Sequence, residues 1–443
     1  MKAVLSSGKL RILGGDKASP PVIPRWPQHD EREVEILTEV CRTGNWGGFP
    51  MPNTHARALA DSFAQYHGAK YGFCAANGTV TLEICMKAAG VRPGDEVIVP
   101  AYTWDGTAAA VLFVEAIPVF VDVCADSYCL DPDLLEAAIT PKTRALIPVH
   151  LGMNICDMDR ILTIAAKHGL KVIEDCAHAH GAKWKGQGVG SIGHLGSFSF
   201  QTSKLMTAGE GGMILTNDDE LSELCQSYIN CSRPTITDVF KHRVVGHNYR
   251  LSEFQAAVLR IQLQRLEEQT AQRKLNAEYL TERLASLPGI TPLRWDPRIT
   301  TPAIYQYLFK FDAASLGGLS REHLIAALEI EGIPSDGIFY EPVYRSSLFT
   351  PKPEQFDALR RNPKSADFGA YSCPVSERAA YEEAVWLPHH LFLGDRDYMK
   401  FVADTIERVV EQRDELIALK HPLIDLRKMN RATRALQKSD RPY

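Results

Sequence analysis

The sequence contains no uninterrupted apolar run that approaches the ~20 residues a membrane-spanning helix requires. Its 49 Lys and Arg are outnumbered by 54 Asp and Glu, which gives a formal net charge of -5. Without a basic excess, nucleic acid is not an expected partner. The segment from Met1 to Lys9 lacks the apolar stretch of a secretory signal. These absences predict a cytoplasmic protein that binds neither membranes nor nucleic acid.

Cysteine and histidine lack the spacings that are typical of metal sites. None of the 10 cysteines forms a CxxC pair, and the 14 histidines show no HxxxH spacing. A chain of this length does not need disulfides for stability. We therefore expect free, mostly buried thiols and no metal. The remaining composition, 45% hydrophobic and 23% charged, is ordinary for a globular enzyme.

Strand and helix patterns alternate along much of the chain. Short apolar segments typical of strands lie at 71–76, 96–100, 117–122, 144–149, 171–175, 198–200 and 212–216. Strands separated by helices of about 10–15 residues indicate a largely parallel sheet with both faces covered. The fold class is therefore predicted to be α/β.

The predicted organisation has four parts. An arm with a first helix spans 1–50, and a large domain spans 51–288, ending in a long helix at about 252–288. A smaller α+β domain follows at 289–420, and a basic tail occupies 421–443. Within these parts we also predict a helix at 131–138, a loop around 350–370 and a final helix at 397–418.

One lysine, Lys204, lies between an apolar strand and a glycine-rich loop that ends at Gly212. Most surface lysines lie among other charges on a helix. Upstream, the apolar strand 171–175 ends at the carboxylate of Asp175, a group that is costly to bury unless it is paired. An amine that binds an aldehyde and an acid that keeps a pyridine nitrogen protonated are what pyridoxal phosphate (PLP) chemistry needs. We therefore predict that Lys204 holds PLP as an imine and then acts as general base and acid.

Three further motifs fit this cofactor, although each alone has a structural explanation. Asn77-Gly78-Thr79 precedes a helix whose N-terminus can bind a phosphate, but it also fits a plain N-cap turn. Trp104 follows a strand and can stack on a flat ring or pack in a core. His178 lies three residues after Asp175 and can reach the ring hydroxyl or stack.

These residues, in this order, resemble the DegT/DnrJ/EryC1/StrS sugar aminotransferases, from about Trp26 to about Arg413. The resemblance rests on the motifs at 77–79, 100–104, 148–150, 174–178, 198–204, 209–212 and 246–253. It implies fold type I of the PLP enzymes, with a mostly parallel seven-stranded sheet and a smaller α+β C-terminal domain.

The resemblance also implies a role for each matched residue. Gly78, Thr79 and Ser199 would hold the phosphate, Trp104 would stack on the ring, and Asp175 would pair with its nitrogen. Many relatives have glutamine where this chain has His178, facing the ring hydroxyl. The residue that matches Asn248 reaches the phosphate of the neighbouring subunit, which implies a homodimer with shared active sites.

The predicted function is transfer of an amino group from L-glutamine or L-glutamate to a keto-cyclitol or keto-sugar, in aminocyclitol or aminosugar biosynthesis. Narrower likenesses point to keto-inositol aminotransferases and to 3-amino-5-hydroxybenzoate synthases. The alternatives are a PLP lyase of the latter kind and an aminotransferase for nucleotide-linked keto-sugars. A non-catalytic regulator would need a DNA-binding segment, and no basic helix-turn-helix is visible.

Candidate substrate contacts are polar residues expected near the cofactor, each with a structural alternative. They are His150, Tyr340, Arg378, His389 and His390.

Overall fold

The computed structural model describes residues 8–16, 22–48, 53–234, 242–349, 355–362 and 367–419, so the predicted basic tail 421–443 lies outside the described residues. The strands of the large domain are β1 (Tyr71–Ala75), β2 (Glu96–Pro100), β3 (Ile117–Val121), β4 (Thr143–Leu146), β5 (Lys171–Asp175), β6 (Lys183–Trp184), β7 (Gln187–Gly188), β8 (Leu195–Ser199) and β9 (Gly212–Thr216). They are followed by β10 (Ile290–Pro292), β11 (Ile299–Thr301), β12 (Gln306–Phe311) and β13 (Ala384–Pro388).

The α-helices up to the end of the predicted large domain are α1 (Glu31–Thr43), α2 (Thr54–His67), α3 (Gly78–Ala88), α4 (Asp105–Phe113), α5 (Leu135–Ala138), α6 (Met158–His168), α7 (Asp219–Ile229) and α8 (Glu253–Leu284). Those beyond it are α9 (Arg321–Ile330), α10 (Asp357–Arg361), α11 (Pro374–Arg378), α12 (Arg396–Glu411) and α13 (Arg413–Ile417). No helix in the described ranges is both long and apolar enough to cross a membrane.

The main sheet has seven strands in the order β1-β9-β8-β5-β4-β2-β3. Neighbouring strands from β8 to β3 run parallel, and β9 is antiparallel to both of its neighbours, β1 and β8. Since β1 and β8 both oppose β9, β1 runs in the same direction as the parallel strands. The prediction of a mostly parallel seven-stranded sheet is confirmed.

Helices cover both faces of this sheet, which explains why most residues of its central strands are buried. On β2, Val97 and Val99 contribute to a core that also contains residues of α3, α4 and α7. Ile98 points the other way, into a core that contains residues of α2, α6 and α8. The alternation of side chains along one strand therefore supplies two cores.

The C-terminal part is an antiparallel sheet in the order β10-β12-β13, joined to the large domain by α8. The α+β pattern predicted here agrees with these elements, while the domain boundaries stay a prediction.

Several segments differ from the sequence predictions. The helix predicted at 131–138 is reduced to α5, and the final helix is divided at Gln412 into α12 and α13. The stretch predicted as a loop contains α10, whose Ala358 and Leu359 are buried. A helix of 5 residues is too short to show a helical period, so its packing is not visible in the sequence.

Candidate active site

The carboxyl ends of β1, β2, β5 and β8 lie on the same edge of the sheet, where ligands bind in open α/β folds. A cavity of about 640 Å³ lies at this edge. Seven of the residues predicted for the site line it: Gly78, Thr79, Trp104, Asp175, Ser199, Lys204 and Tyr340. Six do not: His150, His178, Asn248, Arg378, His389 and His390.

The N-terminus of α3 forms one end of the cavity. The Asn77 side-chain oxygen accepts a hydrogen bond from the Val80 N–H at 3.0 Å, and the Asn77 backbone carbonyl accepts one from the Thr81 N–H. This capping leaves the N–H groups of Gly78 and Thr79 for an anion. A side chain at Gly78 would collide with β8, because a Cβ there would lie 2.7 Å from the Ser199 Cβ. Glycine thus allows the helix N-terminus to approach Ser199 closely.

Asp175 lies at the carboxyl end of β5, and its side chain is buried. The Thr107 hydroxyl donates to its Oδ2 at 2.9 Å, and the Ala177 N–H donates to its Oδ1 at 3.1 Å. Burial raises the pKa of Asp175, while these two donors oppose that rise. A buried carboxylate with only neutral donors and a face on the cavity suits a cationic N–H ligand.

Lys204 follows a tight turn that is held by contacts from distant parts of the chain. The Lys204 N–H donates to the Gln201 carbonyl at 2.9 Å. The Trp26 indole, from the N-terminal arm, donates to the Thr202 carbonyl at 2.9 Å. The Lys204 Nζ lies 4.6 Å from the centre of the Tyr305 ring. The turn therefore directs the amine into the cavity against an aromatic wall.

His389 holds the same turn from the C-terminal domain. Its Nε2 lies 3.1 Å from the Ser203 carbonyl, and its Nδ1 lies 3.2 Å from the Arg273 Nη2. Because a carbonyl only accepts and a guanidinium only donates, His389 has its proton on Nε2. Arg273 is 1% exposed, and burial lowers its pKa to about 9. His389, predicted as a substrate contact, instead supports the lysine turn.

Trp104 lies at the entrance of the cavity and is 48% exposed. Its ring packs against the first turn of α4, where a Cβ at Gly106 would lie 2.2 Å from the Trp104 Cζ3. Glycine at position 106 is what lets the ring lie flat on this turn. The exposed face of Trp104 is therefore available for stacking on a planar ligand.

His178 lies behind two tyrosines that line the cavity. It stacks on Tyr305 at 4.0 Å between ring centres, and its Nε2 lies 3.1 Å from the Tyr340 hydroxyl. Its Nδ1 accepts from the Gly152 N–H at 3.3 Å. Burial, with Lys204 nearby, lowers the pKa of His178 well below its usual value, so the ring is neutral at pH 7.

His150 was predicted to contact the substrate, but it does not face the substrate space. It is fully buried, and its Nε2 donates to Glu174 at 3.0 Å while its Nδ1 accepts from the Cys156 N–H. The Glu174 carboxylate also accepts from three backbone N–H groups of the 190–193 turn. The ligand atoms of His150, Glu174 and Cys176 lie within 4.8 Å of one another. Because the carboxylate is already saturated with donors, these contacts explain the cluster without a metal.

Three other predicted residues lie away from the cavity. Arg378 is paired with Glu383 at 3.3 Å. His390 follows His389 and packs edge-on against its ring. Asn248 is exposed and forms a bridge with Asn230.

Two residues of the site were missed by the sequence analysis. Thr107 is fully buried and is the only hydroxyl in α4, a helix with no other polar side chain after Asp105, and that exception was a usable signal. Tyr305 gave no signal, because its place over Lys204 depends on how the C-terminal domain packs.

The residues present fit PLP. The free N–H groups of α3 and the close approach of Ser199 provide a phosphate cradle. Asp175 offers a buried acceptor for a protonated ring nitrogen, and Lys204 offers the amine in the same cavity. The donor set therefore matches the phosphate, the nitrogen and the aldehyde of this cofactor.

Comparisons with known proteins agree with this geometry. Residues 27–407 match the DegT/DnrJ/EryC1/StrS aminotransferase family. A Streptoalloteichus tenebrarius protein, provisionally named L-glutamine:3-amino-2,3-dideoxy-scyllo-inosose aminotransferase, is 42% identical over 93% of this chain and 100% of its own length. The L-glutamine:2-deoxy-scyllo-inosose aminotransferase of Streptomyces kanamyceticus is 36% identical over 94% and 100%.

Solved structures show the same fold. A 3-amino-5-hydroxybenzoic acid synthase is 33% identical over 89% of this chain and all of its own, with a TM-score of 0.77. A Streptococcus pneumoniae protein, provisionally named a sugar aminotransferase and solved in its PLP form, is 26% identical over 88% and 98%, with a TM-score of 0.72. Taken with the lysine, acid and phosphate cradle above, these matches establish that the chain is a PLP-dependent aminotransferase that belongs to the DegT/DnrJ/EryC1/StrS family.

Proposed function

We propose that this enzyme transfers the α-amino group of L-glutamine or L-glutamate to the ketone of an unactivated cyclitol in aminocyclitol antibiotic biosynthesis. The observation that carries the proposal is the 42% identity, over the full length of the relative, to a protein named for an amino-dideoxy-scyllo-inosose.

The charges around the cavity support a cyclitol over a nucleotide-linked sugar. Among the described lining residues the only cationic side chain is Lys204, and the carboxylate of Glu210 is exposed at the same cavity. A diphosphate would meet repulsion from this carboxylate, whereas a neutral or amino-bearing cyclitol would not.

In this proposal the chain's own residues bind, orient and move protons. Lys204 holds the cofactor and, once displaced by the donor's amine, removes the proton from the donor Cα and returns one to the acceptor carbon. Asp175, oriented by Thr107, keeps the ring nitrogen protonated, and Trp104 covers the ring. The cofactor supplies an electron sink and carries the amino group between the two substrates. One α-amino acid and one ketone become one α-keto acid and one amine.

The test is isotope transfer measured by mass spectrometry. The purified holoenzyme is incubated with L-glutamine labelled with ¹⁵N at the α-amino group and, in separate reactions, with scyllo-inosose, 2-deoxy-scyllo-inosose, its 3-amino derivative, a nucleotide-linked keto-sugar and an amino-cyclohexenone. We expect ¹⁵N in a cyclitol amine and none in the nucleotide sugar. A Lys204→Ala variant is the control for non-enzymatic exchange.

Two outcomes would contradict the proposal. Label found only in the nucleotide sugar would assign the enzyme to activated sugars. Conversion of an amino-cyclohexenone to an aromatic product, without nitrogen transfer to any cyclitol, would favour a lyase like the 3-amino-5-hydroxybenzoate synthases.

We further propose that the enzyme acts as a homodimer with shared active sites. Asn248, expected to contact a phosphate, is exposed and lies outside the cavity of its own chain. That position is compatible with reaching the site of a second copy.

A further inference from the structure

The hydrogen bond between His178 and Tyr340 has a direction that its surroundings fix. The Gly152 N–H points at the His178 Nδ1 from 3.3 Å, so this nitrogen must accept. A neutral histidine that accepts at Nδ1 carries its proton on Nε2. The Nε2–H therefore donates to the Tyr340 oxygen, 3.1 Å away.

As a consequence, the Tyr340 oxygen accepts from His178, and the hydroxyl proton of Tyr340 remains to be donated to another group. Tyr340 lines the cavity, whereas His178 does not. Burial raises the pKa of Tyr340 well above its usual value, so the phenol stays protonated at neutral pH. The other titratable groups that face this phenol raise its pKa further and do not favour ionisation: Tyr305, Asp175, Tyr102 and Asp105. Tyr340 is thus a neutral donor directed at whatever occupies the cavity.

The remaining polar atom of the cofactor identifies the acceptor, given the roles proposed for Lys204, Asp175 and the N-terminus of α3. Those three groups account for the aldehyde, the ring nitrogen and the phosphate. The ring oxygen is left; it lies beside the aldehyde carbon, on the ring edge opposite the phosphate arm. We propose that Tyr340 donates a hydrogen bond to this ring oxygen and that His178 is a positioning residue that acts through Tyr340.

The test uses the resting holoenzyme without substrates and measures the pH at which its visible absorbance band titrates. This band reports the proton shared between the Lys204 nitrogen and the ring oxygen. A donor to the oxygen stabilises its negative charge most when that proton has left. Tyr340→Phe should therefore raise the titration midpoint by about one pH unit, a tenfold change, because one hydrogen bond to a charged group is lost.

Three further variants and one control distinguish the loss of a hydrogen-bond donor from a packing effect. His178→Ala should shift the midpoint in the same direction by less, and His178→Gln, whose amide can donate to Tyr340, should restore it. Site-specific 3-fluorotyrosine at position 340 has nearly the same side-chain shape as tyrosine but a more acidic hydroxyl. It should therefore lower the titration midpoint. Tyr307→Phe is the matched control, because this buried tyrosine bonds Thr281 on α8 and does not line the cavity.

If the titration midpoint of Tyr340→Phe lies within about 0.3 pH unit of that of the unaltered enzyme, the proposal is overturned, because so small a shift is less than the loss of one hydrogen bond would cause. A larger shift in His178→Ala than in Tyr340→Phe would also overturn it, because it would make the histidine the direct donor. If the Phe variant does not fold, an unchanged midpoint in the fluorotyrosine protein overturns it instead. Because no acceptor substrate is used, failure here is distinct from failure of the proposed cyclitol specificity.

Discussion

Replacement of Gly78 by alanine should weaken PLP binding through its phosphate. The added Cβ would lie 2.7 Å from the Ser199 Cβ and 3.2 Å from its Cα and Oγ. Relief of this clash to ordinary contact requires that the first turn of α3 and the end of β8 separate by about 1 Å. The N–H groups of Gly78 and Thr79 then lose their aim at the phosphate.

The expected loss can be estimated from hydrogen bonds to a charged group, which contribute about 1.5–3 kcal/mol each. Loss of one such bond weakens PLP binding roughly 10- to 150-fold. Helix propensity acts the other way, since alanine is favoured over glycine in a helix by up to about 1 kcal/mol. A loss of affinity in this variant would therefore not come from destabilisation of α3.

The assay titrates the apoprotein with PLP and, separately, with pyridoxal, which lacks the phosphate. Gly78→Ala should reduce affinity for PLP strongly and affinity for pyridoxal by less than about threefold, well under the value of one hydrogen bond to a charged group. Gly369→Ala is the matched control, because the nearest atom to its Cβ is the Asp367 Oδ1 at 3.5 Å. Equal losses for both ligands would show general damage, and no loss would show that α3 does not bind the phosphate; either result refutes the reasoning.

Three other variants test the rest of the site. Lys204→Ala should abolish both the visible absorbance band and turnover, and a variant that kept both would remove Lys204 from the mechanism. Thr107→Val removes a hydrogen-bond donor to Asp175 and therefore raises the pKa of Asp175 further. Burial already raises this pKa. The stability that comes from the protonated acid is therefore present at low pH and lost as pH rises. Denaturant unfolding of the Thr107→Val apoprotein should therefore show a cost of about 1–3 kcal/mol at pH 7 and a smaller one near pH 4, whereas equal costs would contradict this role. Asn248→Ala should increase the rate of PLP loss on dialysis while the dimer persists, and an unchanged rate would argue against a shared site.

Much of the fold was predictable because its signals are local. Strands β2, β5 and β9 have the predicted bounds, 96–100, 171–175 and 212–216, since short apolar runs mark them in the sequence. Short elements such as α10 were not predictable, because tertiary burial of Ala358 and Leu359 holds them in place.

The positions of the substrate candidates could not be predicted from residue type. His150, Arg378 and His389 were plausible ligands in the sequence, but each has a partner within the protein: Glu174, Glu383 and the Ser203 carbonyl. A polar side chain forms hydrogen bonds with whichever partners the tertiary packing brings close. The periodicity of the sequence does not predict which partners these are.

The sequence by itself determined which residues end the parallel strands and hence which chemistry they bring to one edge of the sheet. Lys204, Asp175 and Gly78 were identifiable because strand direction places such ends together whatever the details of packing. Only the tertiary structure decided the orientation of these groups. The Thr107 bond to Asp175, the His389 support of the lysine turn and the donor direction of Tyr340 join residues 68, 186 and 162 positions apart. Such contacts depend on how distant parts of the chain pack together and on which hydrogen-bond partners this packing provides. A local sequence pattern predicts neither.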